Sequence, residues 1–232
     1  MGTLIVIEGS DGSGKATQTK LLYEYLKDQG KKVKMVSYPN YESPSSSLVK
    51  MYLGGRFGTD PYGVNAYVAS SFFAVDRFAS YLGEWKEFYE SSEDAVVICD
   101  RYVTSNMLHQ TSKLTSMEEK ERFLDWDYDF EFQKGGLPVP DVVFFLDVDP
   151  KTAFLLMKDR ENKFTHESEK DIHETNARFL TQSYENSMFV GEKYNWTKIR
   201  CCQCPGKMRK IEEIHEEIRE KLNKMLFTDK VI

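Results

Sequence analysis

The glycine-rich segment at residues 9–15 carries residues suited to binding phosphate groups. It reads Gly9-Ser10-Asp11-Gly12-Ser13-Gly14-Lys15, and a helical pattern follows at once. Glycines let the backbone turn its N–H groups inward, the next helix contributes the positive end of its dipole, and a lysine reaches the outer phosphates. The segment predicts a polyphosphate site, and a glycine-rich turn with a chance lysine is the alternative.

The position after Lys15 departs from the usual pattern of such loops. A serine or threonine is expected there because its hydroxyl binds Mg²⁺, but this chain has Ala16. Thr17 lies about 100° further round the helix and cannot simply replace it. We expect impaired Mg²⁺ coordination rather than a lost site, since water can partly fill the position.

Three further groups of charged residues could bind or stabilise a phosphoryl group. Asp100-Arg101 directly follows an apolar run, and Asp76-Arg77 lies within an aromatic stretch. Arginine suits phosphate because its planar guanidinium donates two parallel hydrogen bonds. Surface ion pairs and solvated charges are the alternatives. The third group is the basic residues of the charged segment 158–170, namely Lys158, Arg160 and Lys163.

Alternating apolar runs and amphipathic stretches predict the elements that position these residues. Strands are expected at 4–9, 32–38, 95–99, 142–146 and 197–201. Helices are expected at 15–29, after 45–47, and at 63–89, 117–133, 151–157, 171–194 and 210–225. This order predicts an α/β fold with a doubly wound, five-stranded parallel sheet. We expect one domain over 1–232, with a mobile lid at about 158–170.

The predicted sheet places the phosphate loop close to Asp100-Arg101. Both follow the carboxyl end of an apolar strand, and open parallel sheets bind their ligands at that edge. The sequence therefore predicts one site at which Asp100 and Arg101 face bound phosphates.

Composition limits the classes of partner. The chain has 232 residues, 41% hydrophobic, with a formal net charge of −6. No basic excess indicates nucleic acid or a membrane surface. The first residues predict a strand rather than a signal peptide, and no apolar run is long enough to span a bilayer, so we expect a cytoplasmic protein.

The cysteines do not form a recognisable metal motif. Three of the four, Cys201, Cys202 and Cys204, lie together, and Cys201 and Cys204 have C-x-x-C spacing. A zinc site needs four ligands, and no second pair completes it. We expect reduced thiols at a strand end, with a redox role as the alternative.

Four motifs in order resemble the thymidylate kinase family of P-loop nucleoside monophosphate kinases. They span nearly the whole chain, and the combination of the first and third is quite specific to that family. The motifs are Glu8–Gln18, which resembles EGxDGxGKxTQ; Phe73–Arg77; Asp100-Arg101-Tyr102 with Ser105 and Gln110, which resembles DRYxxSxxxxQ; and Phe145–Pro150 with the basic segment after it.

The resemblance implies roles around the phosphoryl donor, ATP. Lys15 and the loop backbone would hold the ATP phosphates, and Asp100 would hold Mg²⁺ through water. Some family members place a catalytic arginine after the loop aspartate, where this chain has Gly12, so Arg160, or else Lys163, would supply that cation. The residues implied around the donor are Asp11, Gly12, Ser13, Gly14, Lys15, Ala16 and Thr17.

The resemblance also implies roles around the acceptor. Asp11 would bond the sugar 3′-hydroxyl, and Arg77 and Arg101 would clamp the monophosphate. Phe73, which periodicity alone assigns to core packing, would stack on the base. Ser105 and Gln110 would lie against the base edge. The family usually has an arginine shortly after the second strand, and Tyr41 lies in that segment instead, which leaves the identity of the acceptor base open.

The implied activity is transfer of the ATP γ-phosphoryl group to dTMP, which gives dTDP for DNA precursor synthesis. The alternatives are a deoxynucleoside monophosphate kinase of other or broader base preference, a non-catalytic nucleotide sensor, and a simple NTPase. The resemblance also implies a homodimer packed through its long helices, and the aromatic-rich helix at 63–89 fits that arrangement.

Overall fold

Parallel strands make up the central sheet. The computed structural model describes residues 1–157, 172–173 and 176–226. The strands of this sheet are β1 (Thr3–Gly9), β2 (Lys32–Ser37), β3 (Ala95–Asp100), β4 (Val142–Asp147) and β5 (Thr197–Arg200). They form one five-stranded sheet in the order β2-β3-β1-β4-β5, and every neighbouring pair is parallel. The predicted five-stranded parallel sheet is confirmed.

Helices connect the strands and cover both faces of the sheet. They are α1 (Lys15–Asp28), α2 (Ser47–Leu53), α3 (Ala66–Ser80), α4 (Lys86–Glu90), α5 (Val103–His109), α6 (Met117–Tyr128), α7 (Pro150–Met157), α8 (Ala177–Lys193) and α9 (Ile211–Leu226). Short 3₁₀ turns cover Pro44–Ser46 and Thr111–Lys113, and π-helical turns cover Tyr81–Trp85 and Asp129–Lys134.

The alternation of side chains along the central strands creates two hydrophobic cores. Ile5 and Ile7 of β1 pack toward Leu22 of α1 and Ile218 of α9. Leu4 and Val6 point the other way, toward a core that includes Trp85, Leu124 and Val190. Burial on both faces explains why β1 and β3 read as continuous apolar runs.

The long helix expected at 63–89 is interrupted. It begins only at Ala66, because the Asn65 side chain caps it by accepting a 2.9 Å hydrogen bond from the Val68 N–H. The π-helical turn Tyr81–Trp85 then separates α3 from α4. The expected helix at 117–133 is interrupted in the same way, since α6 passes into the π-helical turn Asp129–Lys134.

Three other expectations are corrected. Helix α5 was not predicted at all. The helix expected to start at 171 starts at Ala177, because Asn176 Oδ1 accepts a 2.9 Å bond from the Phe179 N–H, and residues 172–173 form a turn. The cysteine segment forms an antiparallel hairpin of β6 (Cys202–Cys204) and β7 (Lys207–Met208) instead of a simple strand end.

Candidate active site

The carboxyl ends of the central strands converge at one edge of the sheet. In the register of β1 against β3, Ile7 lies opposite Asp100, and in that of β1 against β4, Gly9 lies opposite Leu146. The phosphate-loop candidate follows β1 and the Asp100-Arg101 pair follows β3. The predicted convergence of these two segments is therefore present.

Positive φ angles shape the loop between β1 and α1. Gly9, Gly12 and Gly14 have φ of 154°, 78° and 88°, a range that favours glycine. A Cβ atom on Gly9 would lie 2.8 Å from Ser13 Oγ and 2.9 Å from the Leu146 carbonyl oxygen. Gly9 is thus required both by its conformation and by the close packing of β4.

Lys15 folds back over this loop. Its Nζ donates a 2.8 Å hydrogen bond to the Ser10 carbonyl and lies 4.0 Å from Asp11 Oδ1. The Oγ atoms of Ser10 and Ser13 are buried and have no hydrogen-bond partner. The loop therefore presents a buried ammonium and polar oxygens at the N-terminus of α1, where the helix dipole favours an anion.

Arg101 is held in a left-handed backbone conformation at the end of β3. Its φ is 69°, and its N–H donates to the Ile7 carbonyl at 3.1 Å. The guanidinium Nη2 donates to Asp11 Oδ1 at 2.6 Å, and Nη1 lies 3.5 Å from Glu8 Oε1. Burial lowers the pKa of Arg101, but the carboxylates of Asp11 and Glu8 more than offset it, so the net shift is upward and the side chain stays charged.

Glu8 is a fully buried acceptor that organises this edge. Its Oε2 accepts 2.7 Å bonds from the hydroxyls of Thr104 and Ser105, and its Oε1 accepts a 2.9 Å bond from the Gly9 N–H. Ser105, predicted to lie against the base edge, therefore bonds to β1. The bonds from Thr104 and Ser105 fix α5 against the end of β1, directly before the phosphate loop.

A row of aromatic rings in contact connects Arg101 to Phe73. The His109 Nε2 lies 3.3 Å from Arg101 Nη1, and the His109 ring stacks on that of His173 with centroids 6.1 Å apart. His173 Nε2 lies 2.9 Å from the Tyr52 hydroxyl, whose ring meets Phe73 edge-on at 6.1 Å. Phe73 therefore lies at the far end of a continuous wall that begins at the guanidinium.

Burial keeps the two histidines of this wall neutral. It lowers the pKa of His109 to about 3, and the positive charge of Arg101 adds to the effect. It also lowers the pKa of His173 well below its ordinary value, with a contribution from His109. A neutral His109 can accept at Nε2 from Arg101, which fits the 3.3 Å contact.

Arg77 lies in a buried ion pair. Its Nε and Nη2 donate to the two carboxylate oxygens of Glu131, each at 2.6 Å, and its Nη1 lies 3.4 Å from the Tyr102 carbonyl. Arg77 is 1% exposed and Glu131 is 0% exposed. This is the bidentate geometry that guanidinium and carboxylate prefer.

Comparison with known proteins decides the family. A profile of the family described as thymidylate kinase matches residues 7–195. The chain belongs to the thymidylate kinase family. Thymidylate kinase of Plasmodium falciparum (isolate 3D7) is 30% identical and aligns over 97% of this chain and 91% of its own length. Probable thymidylate kinase of Methanocaldococcus jannaschii is 31% identical and aligns over 92% of each chain.

A solved thymidylate kinase shares the fold. The structure from Candida albicans superposes with a TM-score of 0.69 and covers 96% of this chain and 92% of that one, at 19% identity. The likeness confirms the P-loop nucleoside monophosphate kinase type of fold. The resemblance inferred from the motifs is confirmed, and the enzyme class is that of a kinase.

The remaining predicted residues of this thymidylate kinase family member occupy distinct places. Tyr41 is half-buried in the loop after β2, and the adjacent Asn40 N–H donates to Asp76 Oδ2 at 2.7 Å, which ties that loop to α3. Gln110 is 1% exposed, and its Oε1 is buried with no partner. Arg160 and Lys163, with the rest of the expected lid, lie outside the described residues.

The side chains near the phosphate loop limit how this protein could bind Mg²⁺. Asp100 lies at the end of β3, whereas Ala16 and Thr17 are exposed in the first turn of α1. Among the described residues, no three histidine, cysteine or acidic side chains are grouped so that they could hold a metal ion. One carboxylate fits a Mg²⁺ that binds mostly through phosphate oxygens and water, and it does not fit a cage of protein ligands.

Sequence reasoning missed the roles of Glu8, Tyr52, His109, His173 and Glu131. Glu8 gave a detectable signal, because an acidic residue that ends a fully apolar strand needs buried partners. The other four depend largely on pairings distant in sequence, such as the one between Arg77 and Glu131. Those pairings leave no local pattern.

Proposed function

We propose that this protein transfers the γ-phosphoryl group of ATP to dTMP to give dTDP and ADP. The observation that carries the proposal is the contact between Asp11 of the phosphate loop and Arg101 of the β3 edge. It joins a site for the donor phosphates to a cationic site for the acceptor. Membership of the thymidylate kinase family supports the choice of substrates.

On the donor side, the segment Asp11–Thr17 is the proposed cradle of the ATP phosphates. Lys15 lies over it and would move its ammonium from the Ser10 carbonyl to a phosphate oxygen. The N-terminus of α1 adds a favourable field. These groups stabilise charge as it shifts onto the β-phosphate oxygen that leaves with ADP.

On the acceptor side, Arg77 and Arg101 are the proposed clamp of the dTMP phosphate, and Asp11 would accept a hydrogen bond from the sugar 3′-hydroxyl. Phe73, at the other end of the ring wall, would face the base. The acceptor phosphate oxygen then forms a bond to the γ-phosphorus as the bond to the β–γ bridging oxygen breaks. The protein contributes position and electrostatic stabilisation.

Mg²⁺ belongs to the proposal as a companion of ATP, with Asp100 as the residue that would hold it through water. When bound it would neutralise charge on the transferring phosphates. The residue proposed to bring a cation to the γ-phosphate is Arg160, with Lys163 as the second choice, because Gly12 occupies the position at which some family members carry a catalytic arginine.

The deciding experiment measures ADP release from Mg²⁺-ATP with each of dTMP, dUMP, dGMP, dAMP and dCMP offered alone, and with no acceptor. The proposal predicts turnover that depends on dTMP. Lys15→Ala should lower that rate by at least about 100-fold, because a charged group aimed at the phosphates is lost. Equal ADP release without any acceptor would overturn the proposal and indicate a simple NTPase.

The same panel tests acceptor preference. The relative from Candida albicans is described as having broad substrate specificity, and this chain has Tyr41 in the segment where the family usually carries an arginine. Faster turnover with another deoxynucleotide would keep the mechanism and change the proposed acceptor. Tight ATP binding with no turnover for any acceptor would favour a sensor.

We also propose a homodimer packed through α3. Val68, Val75 and Leu82 recur at heptad spacing along this helix and its π-helical extension, and they are 43%, 47% and 68% exposed. Apolar residues at that spacing form one stripe, and an exposed stripe is typical of a protein interface. A second copy of the chain would cover it.

The proposed location is the cytoplasm. All four cysteines are free thiols, which fits a reducing compartment. In the part of the chain that the structure describes, no helix combines the length and apolar character needed to cross a bilayer.

A further inference from the structure

The ion pair of Arg77 contains a residue to which the proposed function gives no role. Glu131 belongs to the π-helical turn after α6 and is 0% exposed. It accepts two 2.6 Å bonds from Arg77, and its Oε1 also accepts a 2.9 Å bond from Asn106 Nδ2. Glu131 thus fixes Arg77 of α3 and Asn106 of α5 at the same time.

Arg77, Asp127 and Glu131 form a buried cluster of ionisable side chains, in which Arg77 pairs with Glu131. Burial raises the pKa of Asp127 well above its ordinary value, and the Glu131 carboxylate adds to that effect. Burial opposes the charge of Arg77, but Glu131 more than offsets it, and the pKa of Arg77 is raised. Glu131, which accepts from Arg77 through both carboxylate oxygens, is therefore the direct charge partner of Arg77.

Stability alone is a poor reason to keep such a pair. A buried ion pair is often no more stabilising than apolar residues of similar volume, whereas removal of one partner is strongly destabilising. π-Helical turns are rare and often occur at functional sites. A fully buried pair that depends on such a turn therefore calls for a functional explanation.

The neighbours of the pair supply that explanation. Phe73 lies one helical turn before Arg77 on α3, and Ser105 directly precedes Asn106 on α5. Asn106 Nδ2 also donates to the Ser70 carbonyl at 3.2 Å, which links α5 to α3. Residues implied to contact the acceptor thus flank both partners of Glu131.

We propose that Glu131 is a positioning residue for the acceptor nucleotide, which acts by fixing the guanidinium of Arg77 between α3 and α5. This inference rests on the proposed function, since it assumes that the acceptor binds between those helices. Glu131 itself touches no substrate. Its effect should appear in acceptor binding and should require Arg77.

The first test compares Glu131→Gln with Asp127→Asn. Glutamine keeps the shape and one acceptor but removes the charge, so KM for dTMP should rise at least about tenfold, with kcat and KM for ATP within about twofold. Asp127→Asn is the matched control, because it removes a buried carboxyl group from the same cluster without a bond to Arg77. An equal rise in KM for Asp127→Asn would overturn the assignment.

The second test asks whether Glu131 acts through Arg77. In an Arg77→Gln background, Glu131→Gln should change KM for dTMP no further, because effects that share one path are not additive. Additive effects would show that Glu131 acts independently of Arg77. If the single variant Glu131→Gln does not fold, Glu131→Asp replaces it, because aspartate keeps the charge but draws the carboxylate away from Arg77. Glu131→Asp should then raise KM for dTMP with kcat little changed, and an unchanged KM would overturn the assignment.

Failure of the proposed function would look different. Wild-type protein that releases no ADP with any acceptor would contradict the kinase reaction. Wild-type protein that phosphorylates dTMP, together with a Glu131→Gln variant of unchanged KM, would leave the reaction intact and overturn only this inference.

Discussion

The Nη2 atom of Arg101 donates a 2.6 Å hydrogen bond to Oδ1 of Asp11. One residue ends β3 and the other lies in the phosphate loop, so this bond sets the distance between the two proposed phosphate sites. Arg101 also lies close to Glu8 and His109. Its orientation is thus determined by partners on three segments of the chain.

Arg101→Lys should lower kcat/KM for dTMP by about 100-fold, because a single ammonium cannot replace a fork that bonds Asp11 and a phosphate together. KM for ATP should change little. Steady-state kinetics with each substrate varied in turn provides the measurement. Arg122→Lys is the matched control, because the Arg122 side chain is 65% exposed on α6, and an Arg101→Lys enzyme as efficient as that control would contradict the proposed clamp.

Ala16→Ser should lower the Mg²⁺ concentration needed for half-maximal turnover by about three- to tenfold, since the hydroxyl adds a polar contact to a charged group. Ala16→Gly changes the same position without a hydroxyl and should show no such gain. The measurement is a Mg²⁺ titration at fixed ATP. An unchanged titration curve for Ala16→Ser would mean that another ligand already performs this task.

His109→Phe should make the protein less sensitive to acid. Because the pKa of His109 falls from about 6.5 to about 3 on folding, only the unfolded chain gains a proton there as the pH drops through that window, and wild-type stability falls. Phenylalanine keeps the stacking on His173. It removes this decrease in the free energy of unfolding, which is up to about 1.4 kcal/mol per pH unit.

The check for His109→Phe is the free energy of unfolding in urea, measured at several pH values between about 7 and about 5. The slope against pH, rather than the absolute stability, is the quantity to compare. Slopes that coincide for the two proteins would show that His109 titrates normally in the folded state.

Leu82→Glu should convert the proposed homodimer into a monomer, because it places a charge at the most exposed residue of the proposed apolar interface. Light scattering after size-exclusion chromatography gives the mass directly. Met225→Glu, at an exposed apolar position on α9, should leave the mass of a dimer. A wild-type protein with the mass of one chain would refute the dimer before any variant is made.

The sequence predicted the sheet and the phosphate loop well because both depend on local patterns. Runs such as Ile5–Ile7 and Val96–Ile98 can only be buried, and the glycine spacing fixes the loop. The order of apolar strands and amphipathic helices then permits few topologies. These features needed no knowledge of distant contacts.

Helix α5 was missed because its stability comes from elsewhere in the chain. It begins with Val103 and Thr104, which have modest helix propensity. Its last carbonyls are satisfied by Asn186 of α8, whose Nδ2 donates to Met107 and Leu108 at 3.3 and 2.8 Å. A cap so far away in sequence gives no signal near the helix.

The site residues also fall into those that local patterns predict and those that depend on contacts distant in sequence. Asp11, Lys15 and Arg101 were brought together as expected, since strand ends meet at one edge. The phosphate-clamp role of Arg77 stays a prediction, and its bond to Glu131 could not be foreseen from an Asp-Arg pair. The two π-helical turns were also invisible, because the amphipathic pattern continues through both of them.

The π-helical turn at Asp129–Lys134 makes this part of the chain intolerant of the deletion of a single residue. Loss of one residue there would restore ordinary helical winding and rotate the later residues of the turn by about 100°. Glu131 would then point away from Arg77, although no residue of the pair had been substituted. An alignment that allows a gap within this turn would therefore hide a difference that matters more than most substitutions.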